Sequence, residues 1–333
     1  MPIDPQIQQI LNQYAKFEAP PIPTLSPDNA RNLPTLKNAV DELAATHVSQ
    51  RIINIASPSP EPVGSIKHIL IPSSHQEILA RVYIPDAEGP FPALVYFHGG
   101  GWVIANLDVY DASCRALCNA AQCVVISVAY RQSPEHKFPA AIEDAHAAVQ
   151  WVFQNAEKLN CDATRVAVGG ESAGGNLATV SCLLARDRRG KMPIFQLLIY
   201  PVTNYGMNFP SYEENAQAKP LSSDMMPWFW KHYLRSENDG ENSYVSPLRA
   251  TDLSGLPPAL IITAQYDPLR DEGEAYGEQL RQAGGQATVS RYDEMVHEFF
   301  GLAGVVDKAK MAVEEAAQSL QEAFMKSSTA NAT

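Results

Sequence analysis

The sequence GESAG occupies residues 170–174, directly after a short β-branched run at 166–168. A stretch typical of a helix follows it at 176–186. A buried strand, a sharp turn of small residues around a serine, and a helix together form the context of a nucleophile elbow. The small residues are needed because the serine backbone is strained and because the strand and helix pass close together. The pattern predicts Ser172 as a nucleophile, provided that the chain supplies the other parts of a hydrolase.

Eight short segments of the chain have the composition of β-strands. The first two, at 66–71 and 78–84, suggest a pair at the edge of a sheet. Most later segments are nearly continuous apolar runs, which suit parallel strands buried on both faces. They lie at 93–97, 124–129, 166–168, 195–200, 259–264 and 287–292. Helical stretches at about 108–121, 139–157, 173–187 and 272–284 separate most of them. We therefore predict an α/β fold with a mostly parallel eight-stranded sheet and helices on both faces.

Two segments stand outside this alternation of strands and helices. Residues 1–55 carry amphipathic helical stripes, and residues 203–240 are rich in aromatic residues and too long for a simple loop. We predict that both form a helical cap over a catalytic domain of residues 56–202 and 241–326. The alternatives are that the first segment simply packs on the main domain and that the second contains a plain crossover helix of the sheet. An extended connector at 57–62 and a flexible tail at 327–333 are also expected.

The composition limits which partners and which cellular compartment are expected. The net charge of −12 argues against nucleic acid and an anionic membrane as main partners. No run of 18 apolar residues is present, so we expect no membrane-spanning helix. The first residues lack the basic and apolar regions of a signal peptide. The five cysteines are odd in number and suit no disulfide framework, which favours a reducing, cytoplasmic location.

Two of these cysteines are spaced in a way that admits a second interpretation. Cys114 and Cys118 lie four residues apart on a predicted helix and could face one metal ion. No matching pair of ligands follows in the sequence. We therefore expect free thiols, buried or partly buried, and no bound metal.

A glycine-rich turn, HGGGW at 98–102, directly follows the third predicted strand. Three successive glycines allow backbone N–H groups to approach a developing negative charge closely. A plain glycine-rich loop is the alternative. This turn, however, follows a strand and precedes a nucleophile elbow, as the oxyanion motif of lipases and esterases does. The predicted donors of the oxyanion hole are Gly99, Gly100, Gly101 and Ala173.

An acid and a base are needed to activate the serine. Asp267 follows the seventh predicted strand, at the edge where sites lie in open α/β sheets. Asp271 begins the next predicted helix, where a capping role is favoured. Of the two histidines after Ser172, His232 lies in the cap-like interval and His297 in a loop after the last strand. The order Ser172, Asp267, His297 is the order expected for this fold and predicts a catalytic triad.

The segment 130–141 could suggest a metal site because Glu135 and His136 are adjacent. Too few further ligands lie nearby, and the chain carries no zinc, P-loop or dinucleotide motif. A rigid turn in which Arg131 pairs with Glu135 or Asp144 is the favoured interpretation.

Taken together, these motifs resemble those of the hormone-sensitive-lipase-like esterases, bacterial family IV of the α/β-hydrolase fold. The resemblance covers nearly the whole chain. It is carried by residues 98–102, 130–141, 170–175, 246–248, 252–258 and 267–271, and by His297. It implies a carboxylesterase that acts on short- to medium-chain acyl esters as small-molecule substrates, with no cofactor. It also implies a cap made from the two segments named above, and members of the family often form homodimers through an edge strand.

Two positions depart from the common pattern of the family. Glu171 stands where aspartate is frequent, and Glu298 follows His297 where glycine is common. Glu298 adds a carboxylate beside His297, which can change the pKa of the histidine and the shape of the loop. The sequence therefore does not determine the pH optimum or the geometry of this loop.

The substrate pocket is predicted from large side chains near the oxyanion motif and in the second segment of the cap. The candidates are Trp102, Met225, Met226, Trp228 and Phe229. The same residues could equally form the core of the cap. An amidase or deacetylase would use the same triad. A non-catalytic small-molecule receptor is a further alternative, since plant relatives of this fold lost the catalytic histidine; His297 argues against it.

Overall fold

The computed structural model describes residues 2–45 and 60–330. The described chain is built around one sheet of eight strands. The strands are β1 (Ser65–Pro72), β2 (Glu77–Ile84), β3 (Phe91–Phe97), β4 (Val124–Val128), β5 (Cys161–Glu171), β6 (Gln196–Ile199), β7 (Ala259–Tyr266) and β8 (Ala287–Val296). All eight predicted strands are confirmed. The largest difference is in β5, which begins five residues early because its polar, partly exposed start is not an apolar run.

The order of the strands across the sheet is β1-β2-β4-β3-β5-β6-β7-β8. β1 pairs with β2 and β2 with β4 in antiparallel fashion, and the remaining neighbours are parallel. The carboxyl ends of the parallel strands therefore meet at one edge of the sheet. β3 is adjacent to β5, and β7 is adjacent to β8. This topology brings the glycine-rich turn next to Ser172, and Asp267 next to His297.

Helices cover both faces of the sheet. Those that flank it are α4 (Asp111–Ala121), α5 (Ala140–Asn155), α6 (Ala173–Asp187), α9 (Arg270–Gln282) and α10 (Asp307–Ala330). Successive residues of β3 point to opposite faces, so Leu94 packs with α4 and α10 whereas Val95 packs with α5 and α6. Both faces of the central strands are thus buried, which explains their continuous apolar sequence.

The two segments outside the alternation also contain helices. The first holds α1 (Pro5–Ala15), α2 (Pro27–Ala30) and α3 (Leu36–Ala45), and the second holds α7 (Pro210–Glu214) and α8 (Met225–Tyr233). Ile7 and Ile10 of α1 are fully buried in the cluster that contains α4 and α10. The indole N–H of Trp228 in α8 donates to the carbonyl of Leu25 at 3.1 Å. The two segments therefore contact each other, although they are about 200 residues apart in the sequence.

The structure describes the predicted flexible tail and the predicted connector only in part. The flexible tail is wrong for residues 327–330, because α10 continues to Ala330 and the Ser327 hydroxyl donates to the carbonyl of Thr164 at 2.7 Å. Small residues such as alanine and serine can extend a helix that is already anchored by packing. Residues 331–333 and residues 57–59 of the predicted connector lie outside the described ranges. No described helix has both the length and the apolar composition needed to cross a membrane.

The cysteines have the state that the sequence predicted. All five are buried and none forms a disulfide. Burial raises the pKa of the Cys118 thiol to about 12, so this group stays protonated near neutral pH.

Candidate active site

Ser172 is the single residue that separates β5 from α6. Its backbone angles, φ 56° and ψ −118°, are strained for a residue with a side chain. The Ser172 N–H donates to the carbonyl of Ile199 at 2.9 Å, which fixes the turn against β6. A methyl group on Gly174 would lie 1.9 Å from the carbonyl oxygen of Phe97. Helix α6 thus passes so close to the end of β3 that only glycine fits, as the elbow motif requires.

Asp267 and His297 meet at the carboxyl ends of β7 and β8. Nδ1 of His297 lies 2.7 Å from Oδ2 of Asp267, and the aspartate side chain is completely buried. The other carboxylate oxygen, Oδ1, accepts a hydrogen bond from the N–H of Leu269 at 2.9 Å. Each aspartate oxygen therefore has its own donor, which fixes the orientation of the carboxylate. With Nδ1–H donated to Asp267, Nε2 of His297 is left free to accept a proton.

The surroundings of His297 favour its charged form. Burial lowers its pKa, but the negative charge of Asp267 and the hydrogen bond to it raise the pKa by more. The carboxyl groups of Glu298 and Glu171 act in the same direction. The ring of Tyr200 lies 4.5 Å from the imidazole, centroid to centroid. The pKa of His297 is consequently above its ordinary value, which suits a group that must hold a proton during a reaction.

The glycine-rich turn adopts a conformation that requires glycine. Gly100 and Gly101 have φ values of 95° and 57°, and a methyl group on Gly100 would lie 2.2 Å from the carbonyl oxygen of Ile104. The Gly100 carbonyl accepts from the N–H groups of Val103 and Ile104, which closes the turn. Within the described residues, the N–H groups of Gly100, Gly101 and Ala173 have no protein acceptor. They are available to bind a negatively charged oxygen.

His98 supports this turn from below. Its imidazole stacks on the ring of Tyr130 at 4.4 Å, and Nδ1–H donates to the carbonyl of Gly99 at 2.8 Å. The Tyr130 hydroxyl donates to the carbonyl of His98 at 2.9 Å. Burial lowers the pKa of His98 to about 4, so the ring is neutral near pH 7. Sequence reasoning gave His98 no role of its own.

The segment 130–141 forms the rigid turn that the sequence predicted. Nη2 of Arg131 lies 2.7 Å from Oδ1 of Asp144, which is one of its two predicted partners. Glu135 instead pairs with Arg31 of the N-terminal segment at 2.7 Å. Arg31 also donates from Nε to the carbonyl of Val103 at 2.9 Å. It thereby ties the N-terminal segment to the oxyanion turn, a contact that no local sequence pattern indicates.

A cleft with a cavity of about 100 Å³ lies above Ser172 and His297. Its wall includes Met225 and Phe229, two of the candidate pocket residues. Other apolar residues of the wall come from both cap-like segments: Ile22, Ala30, Leu33, Pro34, Leu36, Pro220 and Leu221. A larger surface hollow of about 860 Å³ lies near residues 255–260 and 322–327, but none of the predicted site residues lines it.

Three other pocket candidates do not line this cleft. Trp102 is fully buried, and its indole stacks on Tyr233 of α8 with ring centroids 4.1 Å apart and planes within 3°. Its φ of 61° turns the side chain away from the cleft and under α8. Met226 and Trp228 are also buried among the packed side chains of α8. The prediction of Trp102, Met226 and Trp228 as pocket residues is therefore wrong, because all three are buried in the core, Trp102 against Tyr233 and Trp228 against Leu25 of the N-terminal segment.

The two unusual glutamates have different environments. Glu171 is buried and accepts hydrogen bonds from the hydroxyl groups of Tyr96, at 2.5 Å, and Tyr200. Burial raises its pKa although these hydrogen bonds oppose the shift. Glu298 has φ 64°, and its partly exposed side chain lines the cleft together with Ser172. Only Glu298 therefore meets the space that a substrate would fill.

The first turn of α9 holds the beginning of the second cap-like segment. Asp271 was expected to cap α9, but it accepts from the Ser211 N–H at 2.8 Å instead. Glu272 is fully buried and accepts from the N–H of Thr203 at 2.7 Å and from the hydroxyl of Tyr212 at 2.8 Å. Burial raises the pKa of Glu272 to about 8 against these hydrogen bonds. Sequence reasoning missed Glu272, because its partners lie 60 or more residues away.

Comparison with known proteins places this arrangement in a family. A family model described as the alpha/beta hydrolase fold matches residues 94–301. The carboxylic ester hydrolase LipN of Mycobacterium tuberculosis is 42% identical over 268 residues, which cover 79% of this chain and 71% of the relative. An arylesterase of Saccharolobus solfataricus is 34% identical over 302 residues, with coverage of 90% and 93%.

The solved structures agree with these relatives. A hyperthermophilic esterase from the archaeon Pyrobaculum calidifontis superposes with a TM-score of 0.87 at 39% identity, and the match covers 97% of this chain and 99% of that one. The family model, the sequence relatives and the solved structures all indicate an esterase of the α/β-hydrolase fold. The chain therefore belongs to the α/β-hydrolase-fold family and, within it, to the hormone-sensitive-lipase-like esterases that its sequence resembles.

Proposed function

We propose that this protein is a serine carboxylesterase that hydrolyses short- to medium-chain acyl esters through an acyl-enzyme. The observation that carries the proposal is the hydrogen-bonded pair of His297 and Asp267, 2.7 Å apart, in a cleft that Ser172 also lines. A nucleophile, a base and an orienting acid are the elements of serine hydrolysis. The names of the relatives, which include carboxylesterases and an arylesterase, support esters as the substrate class.

In the first half of the reaction, the hydroxyl oxygen of Ser172 attacks the carbonyl carbon of the ester. Nε2 of His297 accepts the hydroxyl proton, and Asp267 stabilises the charged imidazole through Nδ1–H. The carbonyl oxygen becomes negatively charged and accepts hydrogen bonds from unpaired backbone N–H groups. The donors are those of Gly100, Gly101 and Ala173, with Gly99 shaping the turn. Loss of one such donor typically costs about 10²–10³ in kcat.

In the second half, His297 gives its proton to the leaving alcohol oxygen, and the bond between that oxygen and the acyl carbon breaks. A water molecule then attacks the acyl-enzyme, again with His297 as base. The acid is released and the Ser172 hydroxyl is restored. The raised pKa of His297 fits both proton transfers, because a base that is too weak would not hold the proton of the first step.

The division of the chain into cap and catalytic domain belongs to the same proposal. Residues 1–55 and 203–240 would form the cap, and the remainder up to residue 326 the catalytic domain. Wall residues from both segments, such as Leu36 and Leu221, support this division. A cavity of about 100 Å³ supports small acyl groups as the best substrates. A series of p-nitrophenyl esters tests this: we expect kcat/KM to peak at short or medium chains, and a continued rise to long chains would contradict it.

Replacing Ser172 by alanine tests the mechanism. Ser172→Ala should abolish hydrolysis of p-nitrophenyl butyrate, with a loss in kcat of about 10⁴ or more, because no nucleophile remains. The matched control is Ser181→Ala on the same helix, where the hydroxyl donates to the carbonyl of Leu177. The control should keep the wild-type rate within about threefold. A Ser172→Ala protein that is folded and still turns over near the wild-type rate would exclude Ser172 as the nucleophile.

A further inference from the structure

Glu298 places a carboxyl group in the wall of the cleft, in the residue next to His297. Its backbone, at φ 64° and ψ 9°, lies in the left-handed region that glycine adopts freely and residues with a side chain adopt at a cost. The next turn, residues 299–302, begins directly after it, so the chain cannot easily relax this conformation. A side chain kept at a strained position beside a reactive centre indicates a role for that side chain.

The rest of the cleft wall offers little charge. Most of it is apolar, and the one arginine that lines it, Arg31, is neutralised by Glu135 at 2.7 Å and Asp28 at 3.3 Å. Glu298 forms no ion pair with a lysine or arginine anywhere in the described ranges. Burial raises the pKa of Glu298, whereas the charge of protonated His297 and a hydrogen bond from the Tyr110 hydroxyl act against this shift. The carboxylate of Glu298 therefore lacks a permanent counter-ion.

Two aromatic side chains share the wall with Glu298. Tyr14 and Phe229 line the same cleft, one from the N-terminal segment and one from α8. Burial, and then the charge of Glu298, raise the pKa of Tyr14 to about 12, so its ring lies within the field of this carboxylate. Aromatic faces attract cations, as a carboxylate does, and do so most strongly where water is excluded. The acidic net charge of the chain, −12, adds to the attraction of cations toward the cleft.

We propose that Glu298 makes this cleft selective for esters that carry a positively charged amino or quaternary ammonium group. The inference rests on the proposed esterase function of the same cleft and narrows it to a class of substrate. The cation of the ester would supply the counter-ion that Glu298 lacks, and Tyr14 and Phe229 would contact it with their rings. An ester that carries a carboxylate would be rejected, because two negative charges would meet in a poorly hydrated space.

The experiment compares esters of equal shape and different charge. Acetylcholine is matched with 3,3-dimethylbutyl acetate, which replaces the charged nitrogen in the alcohol by carbon. Methyl 4-(dimethylamino)butanoate is matched with methyl 5-methylhexanoate, which makes the same replacement in the acyl group. The ratio of kcat/KM within each pair measures selectivity for the cation, whichever side of the ester Glu298 faces. Wild type is compared with Glu298→Gln, which keeps the shape of the side chain and removes its charge.

We expect wild type to prefer the cationic member of at least one pair by about tenfold, and Glu298→Gln to lose that preference. Because loss of the Glu298 charge also lowers the pKa of His297, both proteins are assayed above the acid limb of their pH profiles, and the ratio within each pair is the quantity compared. Glu278→Gln, the same change of charge at an exposed position on α9, should leave both ratios unchanged. If Glu298→Gln does not fold, Glu298→Gly removes the charge at a backbone conformation that glycine tolerates.

The outcomes separate this inference from the proposed function. If wild type hydrolyses none of the four esters nor p-nitrophenyl butyrate, the esterase function itself fails. If wild type hydrolyses the neutral esters, shows no preference for a cation in either pair, and keeps its ratios in Glu298→Gln, the inference is overturned and the esterase function stands. A change in Glu298→Gln that is equal for cationic and neutral esters also overturns it, because Glu298 would then act only through His297.

Discussion

The floor and the roof of the cleft are built by different forces. The floor consists of residues 98–101, 172–173, Asp267 and His297, which follow the carboxyl ends of β3, β5, β7 and β8. The roof consists of α8 and the N-terminal segment, and side-chain contacts hold it, such as the stacking of Trp102 on Tyr233 and the pairing of Arg31 with Glu135. The positions of the floor are set by the hydrogen-bonded sheet, whereas those of the roof depend on packing.

This difference assigns different tasks to the two regions. The backbone of the floor is held by neighbouring strands, on both sides for β3, β5 and β7 and on one side for β8. This suits groups that must be placed within a few tenths of an ångström for catalysis. The roof meets the floor through a few large side chains, and Phe229 touches the oxyanion turn itself. Changes in the floor should therefore alter the chemical step, and changes in the roof should alter substrate choice and stability. The following predictions test this division.

The largest effect after loss of the nucleophile is expected for Asp267→Asn in the floor. An amide does not hold His297 in the tautomer with a free Nε2, so kcat should fall by about 10³–10⁴. The charge that raises the pKa of His297 would also be lost. Since the neutral imidazole is the base, the acid limb of kcat/KM should move to lower pH. The profile of kcat/KM against pH measures both effects.

The neighbouring aspartate provides the control for this change. Asp271→Asn removes a negative charge four residues further along the chain, in the first turn of α9. There the carboxylate accepts from the backbone N–H of Ser211 and from the side-chain Nε–H of Arg270. It should change kcat by less than about threefold. An acid limb that stays in place in Asp267→Asn would contradict the assignment of Asp267 as the partner that raises the pKa of His297.

A smaller effect is expected where the roof touches the floor. A methyl group on Gly101 would lie 2.2 Å from the ring of Phe229, and Gly101 has φ 57°. Gly101→Ala should displace one oxyanion donor and lower kcat by about 10². If the clash with Phe229 causes part of this loss, Phe229→Ala should restore some of it in the double variant. Steady-state rates of the four proteins of this cycle, with thermal unfolding as a check on folding, measure the coupling.

The single variant Phe229→Ala is the internal control of that cycle. It opens the wall of the cleft, so we expect a change in substrate preference and a loss of stability of about 3–5 kcal/mol. Strictly additive effects of the two substitutions on kcat would exclude a steric connection between the roof and the oxyanion turn.

The same division explains what the sequence could predict. Each group of the floor follows a buried strand, and buried parallel strands are legible as apolar runs with turn residues after them. Gly100, Ser172, Asp267 and His297 could therefore be placed at one edge of the sheet from the sequence. The start of β5 was missed because residues 161–165 are partly polar and partly exposed. The first residues of a strand can lie outside the core and then need not be apolar.

The sequence predicted that the roof contains helices, but it did not predict the side-chain contacts that these helices make. Trp102 was predicted in the pocket because it follows the glycines, but the left-handed backbone at this residue turns the indole under α8. Such a conformation depends on the surrounding packing, and sequence patterns do not reveal it. Arg31 and Glu135 are 104 residues apart, and no periodicity joins them. Long-range pairs of this kind require the fold to be known first.

The smallest expected effect concerns Glu272, which joins the floor to the beginning of the second cap-like segment. Its pKa in the folded protein is about 8, above the ordinary value of 4.5, because burial disfavours the charged form. The folded state therefore binds a proton that the unfolded chain releases above its ordinary pKa. The contribution of this group is fully present below about pH 4.5 and is lost as the pH rises toward 8. In Glu272→Gln, the amide does not titrate, and its oxygen can still accept from Thr203.

We expect the free energy of unfolding of wild type to fall, relative to that of Glu272→Gln, by about 2 kcal/mol between about pH 5.5 and pH 7. Urea unfolding at both pH values measures this difference, and taking it relative to the variant removes the titration of all other groups. Glu278→Gln, on the exposed face of the same helix, should follow the wild-type dependence closely. Parallel curves for wild type and Glu272→Gln would mean that Glu272 is ionised in the folded protein. Its hydrogen bonds with Thr203 and Tyr212 would then lower the pKa of Glu272 by more than burial raises it. A charged carboxylate would in that case join the floor to the roof.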